Sequence, residues 1–236
     1  MHGEQGAAVA ARLRGVTPSR QARSEATFRA LVAAGRRALE DKCFEEMTIG
    51  DIARAAGVSV GTFYGRFANK EAFFSAIQEI TVSGIEAALR ARLARPALER
   101  AGAAEFLAAV ASFSVGVFRT HRGFYIACSQ HSSARPGAWS PIRRLGQDVS
   151  GIVAAKLAPL LHGAGRPATE REIRVALQFM NGFLVNAVLN NPGPLSLDDK
   201  EVERYVVRML CSFFGLDGAA RAGSGRSGGR GRRRQP

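Results

Sequence analysis

A run of small and polar residues, SVGT at positions 59–62, stands at the predicted start of a short helix. Such residues allow a helix N-terminus to approach base edges in the DNA major groove, where Val60 and the Thr62 methyl group can contact a thymine methyl. Hydroxyl groups and cations nearby in the sequence suit DNA phosphates. The residue types predict a nucleic-acid contact made by Thr48, Ser59, Val60, Gly61, Thr62, Tyr64, Arg66 and Lys70.

Three helix starts position these residues. Thr48, Ser59 and Asn69 can each cap a helix, because their side-chain oxygens accept hydrogen bonds from free backbone N–H groups. Gly57 ends the first of these helices, since glycine reaches positive φ without a Cβ clash. The spacing predicts a helix-turn-helix. Four aromatic residues around it are expected in the core, namely Phe63, Phe67, Phe73 and Phe74.

The composition indicates an all-α protein. The chain is 46% hydrophobic and 8% aromatic, with few runs of the β-branched residues that favour strands. Apolar positions recur at a helical period from Ser24 onward and again at about 103–120, 124–131, 139–161, 169–190 and 198–215. Ser196 and Asp199 form a possible capping box for the last of these helices.

The segment TIGDIARAAGVSVGTFYGRFANKEAFF, residues 48–74, resembles the DNA-binding domain of the TetR family. The resemblance extends from Ala30 to Phe74 and includes the aromatic pair of GTFYGRF and the NKEAF helix start. Two positions depart from the family pattern: Val60 stands where a lysine is frequent, and Cys43 where a glycine commonly ends the first helix. The resemblance implies a sequence-specific transcription regulator, a repressor whose operator binding is relieved by a small molecule.

The implied organisation is an N-terminal helix-turn-helix domain followed by a larger helical ligand-binding and dimerisation domain. We expect the first at 24–80 and the second at 81–217. The net charge of +13 lies mostly outside them, with +3 on a basic arm at 1–23 and +6 on the Gly/Ser/Arg tail at 218–236. Both segments are too poor in apolar residues to fold alone. Residues 24–80 carry a net charge of −1, so bulk charge does not locate the DNA site.

The last two helices of the chain have wide apolar faces. In the family the corresponding helices form a four-helix interface with their symmetry mates, and small residues at 176, 182 and 187 would allow close approach. The alternative is that these faces only cover the core of one chain. The residues concerned are Ile173, Leu177, Met180, Leu184, Val188, Val202, Val206, Met209, Leu210, Phe213 and Phe214.

A largely apolar ligand would need a pocket between the C-terminal helices. Candidate lining residues are Phe106, Val110, Phe113, Val117, Phe124, Tyr125, Trp139 and Phe179, with Gln130, His131 or Asn181 as polar anchors. Aromatic residues of this kind more often belong to the ordinary core, which is the alternative for each of them.

Three other functions remain open from the residues alone. Cys128 and His131, with His121 nearby, form a sparse set of metal ligands, although a metal site needs three or four ligands. The tail suggests a DNA-coating protein without sequence preference. An enzyme would need convergent catalytic groups or a cofactor loop, and the sequence shows neither, so we expect no enzyme and no cofactor. The three separate cysteines and the lack of a signal or membrane segment predict a cytoplasmic location.

Overall fold

The computed structural model describes residues 22–41, 44–134 and 139–216, and these residues form ten helices and no strand. The all-α prediction is therefore confirmed. The terminal arm and tail, like Cys43, lie outside the described residues. The helices are α1 (Ala22–Asp41), α2 (Ile49–Ala55), α3 (Val60–Tyr64), α4 (Lys70–Leu93), α5 (Pro96–Glu99), α6 (Ala103–Thr120), α7 (Arg122–Ala134), α8 (Ser140–Gly163), α9 (Glu170–Leu189) and α10 (Val202–Phe213).

The first four helices surround an aromatic core. Phe63, Phe67, Phe73 and Phe74 are fully buried, as expected. The rings of the first three pack together, with 5.2 Å between the centroids of Phe63 and Phe73, and the ring of Phe74 packs against Phe44. Helices α1 and α4 approach closely at Gly35, where a Cβ would come within 2.5 Å of the Phe73 ring. Helix α1 also packs against α2 and α7, so the short helices rest on a rigid support.

The remaining long helices form a second layer of packing. Helix α9 lies against α8, α10 lies against α6, and the distal part of α4 lies against α8. Helix α4 runs without a break from Lys70 to Leu93 and therefore passes through the expected division at residue 80. The division of the chain into two domains at that point stays a proposal.

The start of the last helix differs from the prediction. Helix α10 begins at Val202 after Glu201, which makes no side-chain cap. The Asp199 carboxylate does accept from the Ser196 N–H at 2.6 Å, but in the turn that precedes the helix. Arg119 on α6 occupies the backbone carbonyls of this turn, donating to Leu197 O at 2.8 Å and to Asp199 O at 2.9 Å. These hydrogen bonds fix the conformation of the turn, and the helix begins only after it, at Val202.

Helix α6 is long and apolar enough to cross a membrane by length and composition alone, with a mean hydropathy of 1.3 over 18 residues. This differs from the expectation that the chain has no membrane segment. In the fold α6 is a core helix, because one side of it is buried against α8, α9 and α10. Its buried residues include Phe106, Leu107, Val110, Ala111 and Val115.

Candidate nucleic-acid interface and internal cavity

The turn between α2 and α3 has the geometry that the sequence predicts. Thr48 Oγ1 accepts a hydrogen bond from the Asp51 N–H at 3.1 Å and begins α2. Gly57 has a φ of +68°, which explains the need for glycine there. Beyond it, Ser59 Oγ accepts from the Thr62 N–H at 3.1 Å and begins α3. Two side-chain caps and one left-handed glycine thus fix the direction of α3.

The outer side of this unit consists mainly of small and polar residues. Thr48, Ser59, Gly61 and Thr62 are exposed, as are Val60 at 44% and Tyr64 at 54%. Beneath them Phe63 is fully buried and anchors α3 to the aromatic core. Ser59 Oγ and Thr62 Oγ1 are 2.9 Å apart and share a hydrogen bond. We name this set of six exposed residues the α3 surface.

Two of the eight candidate DNA residues lie differently. Arg66 is only 6% exposed, and burial lowers the pKa of its guanidinium. Lys70 donates to the Glu45 carbonyl oxygen at 3.1 Å and lies 4.5 Å from the centre of the Phe44 ring. Arg66 is buried and Lys70 is held by the Glu45 carbonyl oxygen, because the chain after α3 turns back onto the core. They belong to the support of the α3 surface rather than to its exposed part.

A cavity of about 710 Å³ that is partly open to solvent lies among α4, α6, α7, α8 and α9. Four of the candidate pocket residues line it: Phe113, Val117, Tyr125 and Trp139, together with Asn181 as a polar group. The other candidates lie elsewhere. Phe106, Val110 and Phe124 belong to the solid core, Gln130 and His131 are outside the lining, and Phe179 is 57% exposed on the surface.

The contribution of α8 to the lining of the cavity was not predicted from the sequence. Ile142, Leu145, Gly146 and Val149 line the cavity at positions three, four and seven residues from the first. This is the spacing of one helical face and was visible in the sequence. The polar part of the lining was also missed, because polar residues on a helix give no periodic signal of burial. It consists of Arg143, Gln147, Ser150, Arg174 and Gln178, with Ser114 from α6.

The apolar faces of α9 and α10 are mostly used within the chain. Ile173, Leu177, Met180 and Leu184 are buried against neighbouring helices, and so is Leu210. These five residues therefore cover the core of one chain, which was the stated alternative for them, while a dimer interface on the two helices stays a prediction. The exposed apolar side chains on the two helices are Phe179, Tyr205, Met209 and Phe213. We name these four residues the α9–α10 aromatic face.

Helix α7 contacts both the cavity and the helix-turn-helix unit. Tyr125 lines the cavity, while His131 packs edge-on against the rings of Phe44 and Phe74. Gln78 on α4 donates to the Cys128 sulfur at 3.4 Å, and burial raises the pKa of this thiol to about 12.

Within the described ranges no three His, Cys, Asp or Glu side chains are grouped as metal ligands.

Comparison with known proteins agrees with this geometry. Residues 31–77 match the family model of bacterial regulatory proteins of the tetR family. A curated relative, the uncharacterized HTH-type transcriptional regulator YwcC of Bacillus subtilis strain 168, is 42% identical over 53 residues. That match covers 22% of this chain and 24% of the relative, so the chain matches about a quarter of the relative's length.

Solved structures share the whole fold at low identity. A protein of Mesorhizobium loti assigned to the TetR family of regulators has a TM-score of 0.67 at 18% identity, over 83% of this chain and 98% of that one. FadR of Bacillus subtilis, solved in complex with stearoyl-CoA, has a TM-score of 0.62 at 19% identity, over 79% of this chain and 98% of that one. The N-terminal part of the chain is therefore similar to the DNA-binding domain of the tetR family, and the fold is shared with solved regulators of that family.

Proposed function

We propose that the chain is a sequence-specific DNA-binding repressor whose operator binding is relieved by a small molecule. The observation that carries this proposal is the α3 surface. Its backbone direction is fixed by the Thr48 and Ser59 caps, its core side is held by Phe63, and its outer side is small and polar. A recognition helix in the major groove needs these properties. Thr62 and Val60 face the bases, and Tyr64 and Thr48 donate to phosphates.

The regulator acts as a homodimer, with residues 24–80 binding DNA and residues 81–217 binding the ligand and the partner subunit. Support for the dimer comes from the α9–α10 aromatic face, because large exposed apolar groups on adjacent helices mark a protein interface. Phe179 and Phe213 belong to different helices, yet their ring centres are 6.2 Å apart, so the face is continuous. A two-fold dimer would place two α3 surfaces on two half-sites of a palindromic operator.

The ligand occupies the cavity. Its volume of about 710 Å³ falls in the range of about 300–1,000 Å³ that is usual for small-molecule pockets. The complex of FadR with stearoyl-CoA supports ligand binding in this fold. Helix α7 connects the cavity to the DNA-binding unit, so a ligand that shifts Tyr125 acts on the support of α3.

The TetR family is regulatory rather than enzymatic, and the chain is proposed to act in the cytoplasm on double-stranded operator DNA. A DNA-coating protein driven by the arginine tail is the remaining rival. It differs in one measurable property, because binding by counterion release alone has a strong salt dependence and no preferred sequence.

A competition experiment separates these two functions. A duplex selected by the full-length protein is fluorescently labelled, and its release by unlabelled random DNA is measured at one fixed salt concentration. A regulator needs at least about a thousandfold excess of random DNA, whereas a coating protein releases the duplex to an equal amount. Val60→Glu, which adds a carboxylate to the α3 surface, should abolish the preference. Ala164→Glu adds the same charge at an exposed position after α8 and should have no effect.

A further inference from the structure

The lining of the cavity changes in character from its interior to its rim. The buried part is mainly apolar and includes Ile85, Phe118, Ile142 and Leu145. The exposed side chains of the lining are all polar, namely Arg143, Gln147 and Gln178. A ligand that fits this gradient has an apolar body and one polar end that stays close to solvent.

The charge of the rim is set by Arg143. The lining contains two arginines and no aspartate or glutamate. Arg174 is already engaged, because it binds Glu170 at 2.7 Å, the Gln147 carbonyl oxygen at 3.1 Å and Ser150 Oγ at 3.0 Å. By contrast, Arg143 donates no hydrogen bond and forms no ion pair with any described residue.

The lack of a hydrogen-bond partner is specific to Arg143 and is not shared by the next residue. Arg144, next in sequence, forms two hydrogen bonds of 2.6 and 2.7 Å with the Glu79 carboxylate on α4. Helix α8 therefore places Arg144 against Glu79 on α4 and places Arg143 at the rim of the cavity. A guanidinium offers five donors to an anion, and these are unused in Arg143.

We propose that the ligand is an amphipathic anion, with its apolar body in the cavity and its anionic head group bound by Arg143. This inference rests on the proposed function, in which the cavity is the ligand site. The exposed amides of Gln147 and Gln178 are the additional donors available at the rim. A cationic head group meets no carboxylate in the lining, and a neutral one leaves the guanidinium without an ionic partner. The head group is a carboxylate or a phosphate, since both match the guanidinium fork.

The chain contains its own reporter for this binding. Trp139 is the only tryptophan in the sequence and lines the cavity. Its fluorescence can be measured in the full-length protein, without DNA, while four probes with one common tail are added below their micelle-forming concentrations. The probes are dodecanoate, dodecyl phosphate, dodecanol and dodecylammonium.

Dodecanoate or dodecyl phosphate should bind at least about tenfold more tightly than dodecanol, because a charge-assisted hydrogen bond contributes roughly that factor. Dodecylammonium should bind most weakly. The ratio between the two anions tells which head group the site prefers. Equal affinity of dodecanol and both anions, tighter binding of dodecylammonium, or no binding by dodecanoate and dodecyl phosphate would each overturn the proposal.

Variants test whether the Arg143 side chain causes the preference for anions over dodecanol. Arg143→Gln should remove the advantage of the anions over dodecanol, and Arg143→Lys should keep part of it. Arg171→Gln is the matched control, because Arg171 is an exposed arginine on α9 outside the lining. If Arg143→Gln and Arg171→Gln both retain the anion preference, the assignment of Arg143 is wrong.

The same variants keep the inference separate from the proposed function. Binding of selected DNA is measured for the wild type without ligand, beside its preference among the four probes. If the full-length protein shows no DNA sequence preference but still selects anions through Arg143, the proposed regulator is wrong and the binding site is retained. If it reads DNA but shows no anion preference, the regulator is retained and this ligand class is wrong.

Discussion

Gly123, near the start of α7, lies directly against the backbone of Leu39 near the end of α1. A Cβ at Gly123 would come within 1.9 Å of the Leu39 carbonyl oxygen, a distance that no side chain tolerates. The contact joins α7, which borders the cavity, to α1, which supports the DNA-binding unit. Its closeness depends on the absence of a side chain.

Gly123→Ala should therefore destabilise the protein, by about 1–3 kcal/mol as for other overpacked sites. Gly116→Ala is the matched control, because a Cβ at Gly116 on α6 meets nothing within 4 Å. Removing a glycine from an open helical position should instead stabilise the chain slightly. Urea unfolding of both variants measures the difference. Equal stability of the two variants would contradict the close contact between α1 and α7.

Loss of the Tyr64 hydroxyl should weaken DNA binding without changing its sequence preference. Tyr64 is exposed, and its ring packs edge-on against Phe63, so Tyr64→Phe keeps the ring in place. A lost phosphate hydrogen bond corresponds to roughly a three- to tenfold loss of affinity for all duplexes. Ser83→Ala, which removes a hydroxyl from an exposed position on α4 outside both named surfaces, is the control. A loss confined to some sequences would show that Tyr64 contacts bases instead.

The α9–α10 aromatic face should govern association. Phe213→Glu places a carboxylate on this face and should convert the dimer to monomers, because a buried unpaired charge is costly. Val60→Glu is a suitable control, since Val60 is 44% exposed and Phe213 is 43% exposed. Sedimentation of the two variants measures the outcome. Phe213→Glu remaining as dimeric as Val60→Glu would remove this face from the interface.

Much of the fold could be predicted because it follows from local patterns. The caps at Thr48, Ser59 and Asn69 and the left-handed turn at Gly57 depend on residue type and near neighbours, and the structure contains all four. The turn before α10 depends instead on Arg119, which lies almost eighty residues earlier in the chain. No local pattern reveals such a contact.

The difference between local patterns and contacts distant in the chain also explains where the structure departs from the predicted site residues. A hydrophobic stripe predicts burial, but it does not tell whether the cover is another helix of the chain or a second subunit. Leu210 and Phe213 occupy the same helix, yet one is buried in the chain and the other is exposed. Arg66 was expected at the DNA because of its charge, and its burial is decided by the path of the chain after α3.

Stability should fall as the pH is lowered through the ordinary pKa of histidine, about 6.5. Burial and the nearby charge of Arg36 lower the pKa of His121, whose Nδ1 lies 3.5 Å from the Arg36 guanidinium. Below pH 6.5 the unfolded state therefore binds a proton that the folded state resists, and the free energy of unfolding decreases with falling pH until the folded pKa is reached. His121→Gln should flatten this dependence in urea unfolding. His162→Gln, at an exposed position, should leave the slope of the wild type.

The central claim is that the α3 surface reads base edges, and a selection of bound sequences from random duplexes tests it most directly. Wild-type protein and Thr62→Ala are compared at one fixed salt concentration. The account predicts a palindromic motif for the wild type. In Thr62→Ala one position per half-site should lose its preference, at a cost of about 1–3 kcal/mol in discrimination. An unchanged motif for Thr62→Ala would remove Thr62 from base reading, and the absence of any motif for the wild type would contradict the account as a whole.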